Sequence, residues 1–489
     1  MKNFKSIIIS LVILMLIGSN SYSQSDDSAI DISKLADKEN SNESKTSQDD
    51  KKVDFSLHGF VNANFSAMKK DNEPDDNINY AKIGSIIQLQ LEGNAYNKAH
   101  FYSAINIEFN VLDENYRNEV SIQYYKPFLK VLEAYVDLYP TKWMSIRAGQ
   151  QMLTWGEIEG VYAPTDTVCP WDYNIKTTVF EEYKMGIAAI AFNFHFLKNQ
   201  KLELLWIPVF QPAKLPPDEI ERKGLDFGVN AIPQIVRPEH KLKNSEYAIR
   251  ISGTIASDFR YSLSFLYGFD DLPDSKVNFD IVPDDPDPSF VHYPDPMSYE
   301  IYLVYNRVMV PAIDFSYDIK DLFSLKASGA FYITEDFNGK KDELKNPTIQ
   351  YLFGAESTNI GFDIYFSLYV GQMWVLNYTE KHDDNFPDNV HRPNQLRNGE
   401  MLLGYDQLYR YKWLISNVIQ KNFLESDVLE VSLRYGLSID PEFKDIDYTI
   451  NFNVMYKFTN GVSTTLGFIF ADKMGVIQNI GLIEIKYNF

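Results

Sequence analysis

The sequence predicts an all-β transmembrane protein, an antiparallel up-and-down β-barrel of about eighteen strands with sixteen as the alternative, and three observations lead there. From residue 54 to the end, apolar and polar residues alternate with period two. The connections between these runs alternate between short turns and long loops. Tyr, Phe and Trp, which make up 15% of the chain, crowd the ends of the runs, as the two interfaces of a membrane require.

The alternation is clearest at both ends of the chain. Phe55, Leu57, Val61 and Phe65 share one phase, while Ser56, His58, Asn62 and Asn64 share the other. Gln88, Gln90 and Glu92 interleave with Ile87, Leu89 and Leu91, and Asn106 and Glu108 with Ile105, Ile107 and Phe109. Near the end, Thr449, Asn451 and Asn453 alternate with Ile450, Phe452 and Val454. Each run has one apolar and one polar face, and many reach the roughly ten residues that a tilted membrane strand needs. Short turns fall at 94–98, 139–143, 197–200, 257–260, 319–322, 357–360, 422–427 and 459–461. Long connections fall at 113–129, 153–183, 211–243, 270–298 and 377–405. Eight short periplasmic turns and nine extracellular loops make eighteen strands with both termini on the short-turn side, and residues 299–319 count as one long strand despite Pro311. A closed barrel then satisfies every backbone group, as hydrocarbon demands.

The N-terminus reads as an export signal. Lys2 and Lys5 precede an apolar run over 7–17, and Ser21-Tyr22-Ser23 supplies small residues for cleavage, so residues 1–23 are a secretory signal peptide. Residues 24–53 are polar and without an aromatic side chain, a flexible periplasmic tether. Residues 54–489 form the barrel. In the last strand, Gly481, Ile483, Ile485, Tyr487 and Phe489 share a phase, and a terminal Phe behind such a pattern resembles the insertion signature that barrel-insertion machinery reads in bacterial outer-membrane proteins.

If the apolar phase meets lipid, the other phase lines the lumen. Its acids are Glu92, Glu108, Glu133, Asp137, Glu203, Glu300, Asp363, Glu430 and Glu484, and its bases are Arg147, Arg250, Arg410, Lys412, Arg434, Lys457 and Lys486. The wall is nearly balanced, so the net charge of −21 resides elsewhere, much of it in the Asp-rich segment 270–298. Segments 153–183 and 211–243 are long and rich in proline and apolar residues, which predicts that at least one folds inward or packs over the mouth. Arg147 is placed to face Glu133 or Asp137 across a hairpin. The constriction candidates are therefore Glu133, Asp137, Arg147, Gln150, Trp155 and Asp166.

The stretch Glu133-Ala-Tyr-Val-Asp137, Ile146-Arg-Ala-Gly149-Gln150-Gln151, Trp155-Gly156 and Ala163-Pro164-Thr165-Asp166 resembles a family of bacterial outer-membrane barrels of unknown function. Its members carry a Gly-Arg-Gln, Trp-Gly and Asn-Pro-x-Asp series after an early strand; here Gln150 replaces the Arg and Ala163 the Asn. Residues 207–212 and 267–273 carry further similarity, and 130–275 is the specific part. The family is similar to porin-like and alginate-export-type barrels. The resemblance implies passage of small or hydrophobic organic molecules, or export.

Other chemistries find little support. The acidic balance excludes a phosphate-backbone binder, so no nucleic-acid partner is expected. One cysteine, Cys169, excludes an intrachain disulfide. The seven histidines stand outside any motif with a hydrolytic or metal-binding mechanism, so no catalytic residue, cofactor or metal is expected. The expectation is a channel in the bacterial outer membrane that passes small organic solutes through a mixed-charge lumen narrowed by inward loops. An exporter or lipid conduit working with a periplasmic partner is the alternative, and a sealed adhesive barrel a third reading. Outer-membrane lipid and a second copy of the chain complete the expected partners.

Overall fold

In the computed structural model the described residues are 53–70, 80–113, 128–158, 163–173, 180–214, 234–279, 299–338, 344–378 and 409–489, less 97, 198, 256–257, 320–321, 358–363, 425–427, 444–445, 459–460 and 474–475. The expected signal peptide and nearly all of the tether lie outside them, as does the expected loop 377–405 apart from its first two residues.

The strands are β1 (Val53–Lys70), β2 (Tyr80–Ala95), β3 (Ala99–Asp113), β4 (Phe128–Thr141), β5 (Met144–Gln151), β6 (Ile187–Phe196), β7 (Gln200–Ile207) and β8 (Gln234–Val236). Next come β9 (Glu246–Ile255), β10 (Phe259–Phe269), β11 (Asp274–Phe279), β12 (Tyr299–Val304), β13 (Arg307–Ile319) and β14 (Phe323–Thr334). The chain ends with β15 (Thr348–Ser357), β16 (Ile364–Val375), β17 (Tyr411–Phe423), β18 (Leu429–Ile439), β19 (Ile446–Lys457), β20 (Val462–Lys473) and β21 (Val476–Asn488). Eighteen of them form one sheet, and every chain-adjacent pair in it is antiparallel. β21 then pairs with β1 from Phe60↔Asn488 to Lys70↔Gln478, which closes the sheet into a barrel. Each of the eight predicted short turns falls between two consecutive strands that pair antiparallel.

The pleat explains the two faces. Leu57, Leu89, Leu204, Ile251, Phe265, Phe315, Phe353, Ile419, Phe468 and Ile483 all stand exposed on the outer face. An apolar surface that continues round the whole circumference belongs in hydrocarbon, since soluble domains rarely expose apolar patches beyond a few hundred Å². Aromatic pairs mark both rims: Trp143 stacks on Phe194 with centroids 6.1 Å apart at the short-turn end, and Trp374 on Tyr411 at 4.8 Å at the loop end. Many inward positions are small or polar, including Asn62, Ser66, Gln88, Asn106, Ser262, Ser316, Ser328 and Ser416.

The predicted strand over 299–319 is two elements. β12 leaves the wall and pairs with β11 on one side and, in parallel, with β8 on the other, forming a separate three-stranded sheet from two outer loops. Tyr305 makes the break: it is buried with Phe210 and Phe269, and Asn306 donates to Asp274 Oδ2 at 2.6 Å. Pro311 stays within β13, where the ladder to β14 passes from Met309↔Ile333 to Ala312↔Ala330, so its missing N–H falls where the pairing is interrupted. Glu300 therefore belongs to the outer sheet and not to the lumen wall, Asp363 lies outside the described residues, and Arg410 precedes β17.

At the seam, the Gly59 N–H donates to the Phe489 carbonyl at 3.0 Å and the Phe489 N–H returns a bond to the Gly59 carbonyl at 2.9 Å. A Cβ on Gly59 would meet the Gln88 carbonyl and lie 2.8 Å from Phe489 Cζ, whereas one on Gly329 would meet nothing nearer than 3.7 Å. Gly59→Ala is therefore expected to lower the heat-modifiable, folded fraction on gels, with Gly329→Ala folding like the parent.

Candidate functional site: a loop pinned inside the barrel

Strand β5 ends at Gln151, and the chain then turns into the barrel instead of rising from its mouth. Its path is set by an apolar cluster. Trp155, Val168 and Cys169 of the loop pack against inward residues of the wall: Ile187, Ala189 and Ala191 of β6, Leu205 and Ile207 of β7, Val308, Val310 and Ala312 of β13. Trp155 is 2% exposed, and the Arg250 guanidinium lies over its ring at 5.2 Å. Farther along, Ile158 packs with Leu352, Tyr369, Met373 and Leu414, inward residues of β15, β16 and β17. The loop thus crosses from β5 to the opposite side of the lumen. The described residues of segment 153–183 take the inward course that the sequence anticipates.

Polar anchors fix this path. Asp314, 1% exposed on β13, accepts from Thr165 Oγ1 and Ser328 Oγ at 2.8 Å each and from Ser262 Oγ at 3.1 Å. Tyr332 OH donates to the Pro164 carbonyl at 2.9 Å. Gly156 has φ +112°, and a Cβ there would collide with Thr165 Oγ1, so the loop needs glycine both for its backbone and for this approach. Within the loop, Asp166 accepts from the Trp155 N–H at 3.3 Å and pairs with Lys184, whose Nζ also donates to Thr154 Oγ1 at 2.8 Å. Burial raises the Asp166 carboxyl above its ordinary value, opposed by Lys184. Burial also pushes the Cys169 thiol up to about 12, which leaves it an inert packing group that accepts from the Leu153 N–H.

Below the loop lies a charged network. Arg147 donates to both Asp137 oxygens, Nε to Oδ1 at 2.7 Å and Nη2 to Oδ2 at 2.8 Å, and lies 4.0 Å from the Tyr135 ring centroid. Asp137 also meets His100 Nδ1 at 3.3 Å, and His100 Nε2 meets Glu92 at 3.1 Å. Beside it, Arg250 pairs with Glu203 at 2.7 Å and Arg260 with Glu157 at 3.2 Å and Asp318 at 3.0 Å.

Of the candidates, Asp137 and Arg147 meet as expected, and Trp155 and Asp166 meet within the loop. Glu133, within electrostatic reach of Arg147, accepts the Met152 N–H at 2.8 Å where the loop begins. Gln150 is on the other phase from Arg147, paired with Ala134 and Ala188, and its amide donates to the Val131 carbonyl at 2.8 Å beside the β3–β4 bulge. It is a wall-bracing residue and not part of the Arg147 network. Thr165, Ser262, Asp314 and Ser328 are the anchors that sequence reasoning missed. Asp314 alternates with the outward Ile313 and Phe315, so its phase alone marks it as a lumen acid.

Solved structures share this architecture. Acinetobacter baumannii OccAB3 superposes over 89% of this chain and 99% of its own with 11% identity and a TM-score of 0.50. A BenF-like porin from Pseudomonas fluorescens Pf-5 superposes over 88% of this chain and 98% of its own with 8% identity and a TM-score of 0.50. The barrel is porin-like in fold. No family model matches the sequence, and no relative is found among curated proteins, so the motif series over 130–275 remains a resemblance.

The outer rim holds a second cluster. Lys345, 3% exposed, pairs with Asp270 at 2.9 Å, and its backbone N–H donates to Asp274 Oδ1 at 3.2 Å. Burial raises the Asp274 carboxyl to about 6 against the pull of Lys345, and burial with neighbouring Glu246 and Asp270 holds Asp271 well above the usual range.

Two predictions follow from these anchors and this rim. Asp314→Ala strands three buried hydroxyls and is expected to cost about 3 kcal/mol, read as faster proteolysis within 153–173 with the barrel's gel shift intact. The rim carboxyls hold protons more tightly folded than unfolded. Their stability contribution is therefore complete below the unfolded value of about 4 and is lost as pH rises through about 6. Proteolysis of the outer sheet should be slower at pH 5 than at pH 7.5, a difference that Asp274→Asn reduces.

Proposed function

We propose that this protein is a channel of the bacterial outer membrane that passes small organic solutes by diffusion, narrowed by the inward loop. The observation that carries the reading is the Thr165–Asp314 anchor, which holds a long loop inside a polar lumen instead of above it. A wall of paired charges and amides supports a wet path, because buried polar groups of this density need water or partners. The two porin-fold neighbours, one of them titled a porin, add support at the level of architecture. In this reading the chain is not an enzyme. Residues 1–23 direct export, the 24–53 tether lies in the periplasm, and the strand ending at Phe489 is presented to the insertion machinery.

The loop is the constriction and the Asp137–Arg147 pair is its charged floor. Arg147 is held by two hydrogen bonds and a ring, so it presents a fixed charge and not a mobile one.

Single-channel conductance of the refolded mature protein in a planar bilayer tests the reading. Discrete steps are expected from the parent, larger or noisier steps from Thr165→Val, and altered ion selectivity from Arg147→Ala. Silence from a barrel shown folded by heat-modifiable mobility would overturn the channel, and unchanged selectivity in Arg147→Ala would remove that residue from the path.

A further inference from the structure

The apolar clusters beneath the inward loop cover the wall from β6 to β17, and outside a small cluster of Ile469, Ile480 and Leu482 on β20 and β21 the remaining wall has a different chemistry. Across the neighbouring strands β1, β2 and β3, inward positions include the carboxamides Asn62, Gln88 and Gln90, and Asn106, and β19, separated from β1 by β20 and β21, adds Asn451 and Asn453. Gln90 Nε2 donates to Gln88 Oε1 at 2.6 Å, and Gln88 Nε2 to Asn106 Oδ1 at 2.9 Å. Asn62 Nδ2 donates to Glu484 Oε2 at 2.6 Å. Asn62, Gln88 and Asn106 are buried and act as the braced row; Gln90, Asn451 and Asn453 are half-buried, and the Oδ1 atoms of the two asparagines have no hydrogen-bond partner.

Most cations around this face are held by a resident acid. Arg147 is held by Asp137, Arg250 by Glu203 and Lys412 by Asp447 at 3.4 Å. Arg434, beside Asn451 in the β18–β19 ladder, has interactions of its own although its Nε is buried without a hydrogen bond, and Lys486 lies 4.0 Å from the Phe60 ring centroid next to Glu484. On the loop side, Glu182 is exposed, and its charge reaches Glu484 across the gap. A carboxylate crossing here meets two like charges and has to displace a resident acid to reach Arg147 or Arg250.

We propose that the solutes this channel favours are uncharged and hydroxyl-rich, sugars or polyols, and that the carboxamide face is the track along which they pass. A carboxamide offers a donor and an acceptor side by side, which matches a hydroxyl that is both. Brief pairing along such a row replaces the solute's water without trapping it, because neutral hydrogen bonds exchange at small net cost. The inference rests on the channel reading and names its substrate class.

The test is swelling of proteoliposomes carrying the full mature protein, with sorbitol and potassium gluconate as probes of similar size and KCl conductance as the control. Sorbitol is expected to enter about tenfold faster than gluconate. Gln90→Leu should lower the sorbitol rate several-fold while KCl conductance persists, and Asn453→Asp, which keeps the size of the side chain, should slow gluconate further. Gluconate entering as fast as sorbitol, with KCl conductance intact, would overturn the substrate class and leave the channel standing. Absence of KCl conductance from a folded barrel would overturn both.

Discussion

A chain segment can lie inside a barrel only if its own polar groups are answered there, and Asp314 supplies the answer. This buried carboxylate receives Thr165 from the loop and Ser262 and Ser328 from the flanking strands, so one acid ties three strands and the loop together. The apolar contacts of Trp155, Val168 and Cys169 give the loop its affinity for the wall, but they are non-directional. The hydrogen bonds fix where it stops. Gly156 is needed for the same reason, since any side chain there would displace Thr165 from the carboxylate.

The lumen is therefore divided by composition. On one side, the loop converts a polar tube into a packed interior, and the wall residues it covers are mostly alanine, valine, leucine and isoleucine, joined by Tyr369 and Met373. On the other, the wall keeps amides and paired charges. This division explains why the lumen phase of β6, β7 and β13 reads as more apolar than that of β1 and β2. The covered strands line a core, and the open strands line a wet surface.

Period two made the barrel legible, because a strand with one face in lipid and one in water has no freedom in its pattern. The eight short turns were legible for the same reason, since each joins two runs of matched phase. The break at Tyr305 was not. Tyr299–Val304 keeps a strand-like composition, and its departure depends on partners in two other loops, β8 and β11, which no local pattern reveals. The inward course of 153–183 showed in its proline and apolar content, and Arg147 with Asp137 in their cross-hairpin register. Gln150 was misplaced because a residue three positions from Arg147 lies on the opposite face of a strand, and its role at the bulge depends on an irregularity in β4. Asp314 was hidden inside the segment whose boundaries were misjudged.

The seam between β1 and β21 joins positions 422 residues apart at Asn62 and Glu484. Until that contact forms, both strands are bare edges whose backbone groups no lipid can satisfy. Every other wall pairing joins strands far closer along the chain, so closure spans the longest stretch of chain and carries the largest loop entropy. The assembly is therefore all-or-none in a strict sense: no shorter run of its hairpins is a viable membrane object, and the ring gains its stability at the moment its first and last strands meet.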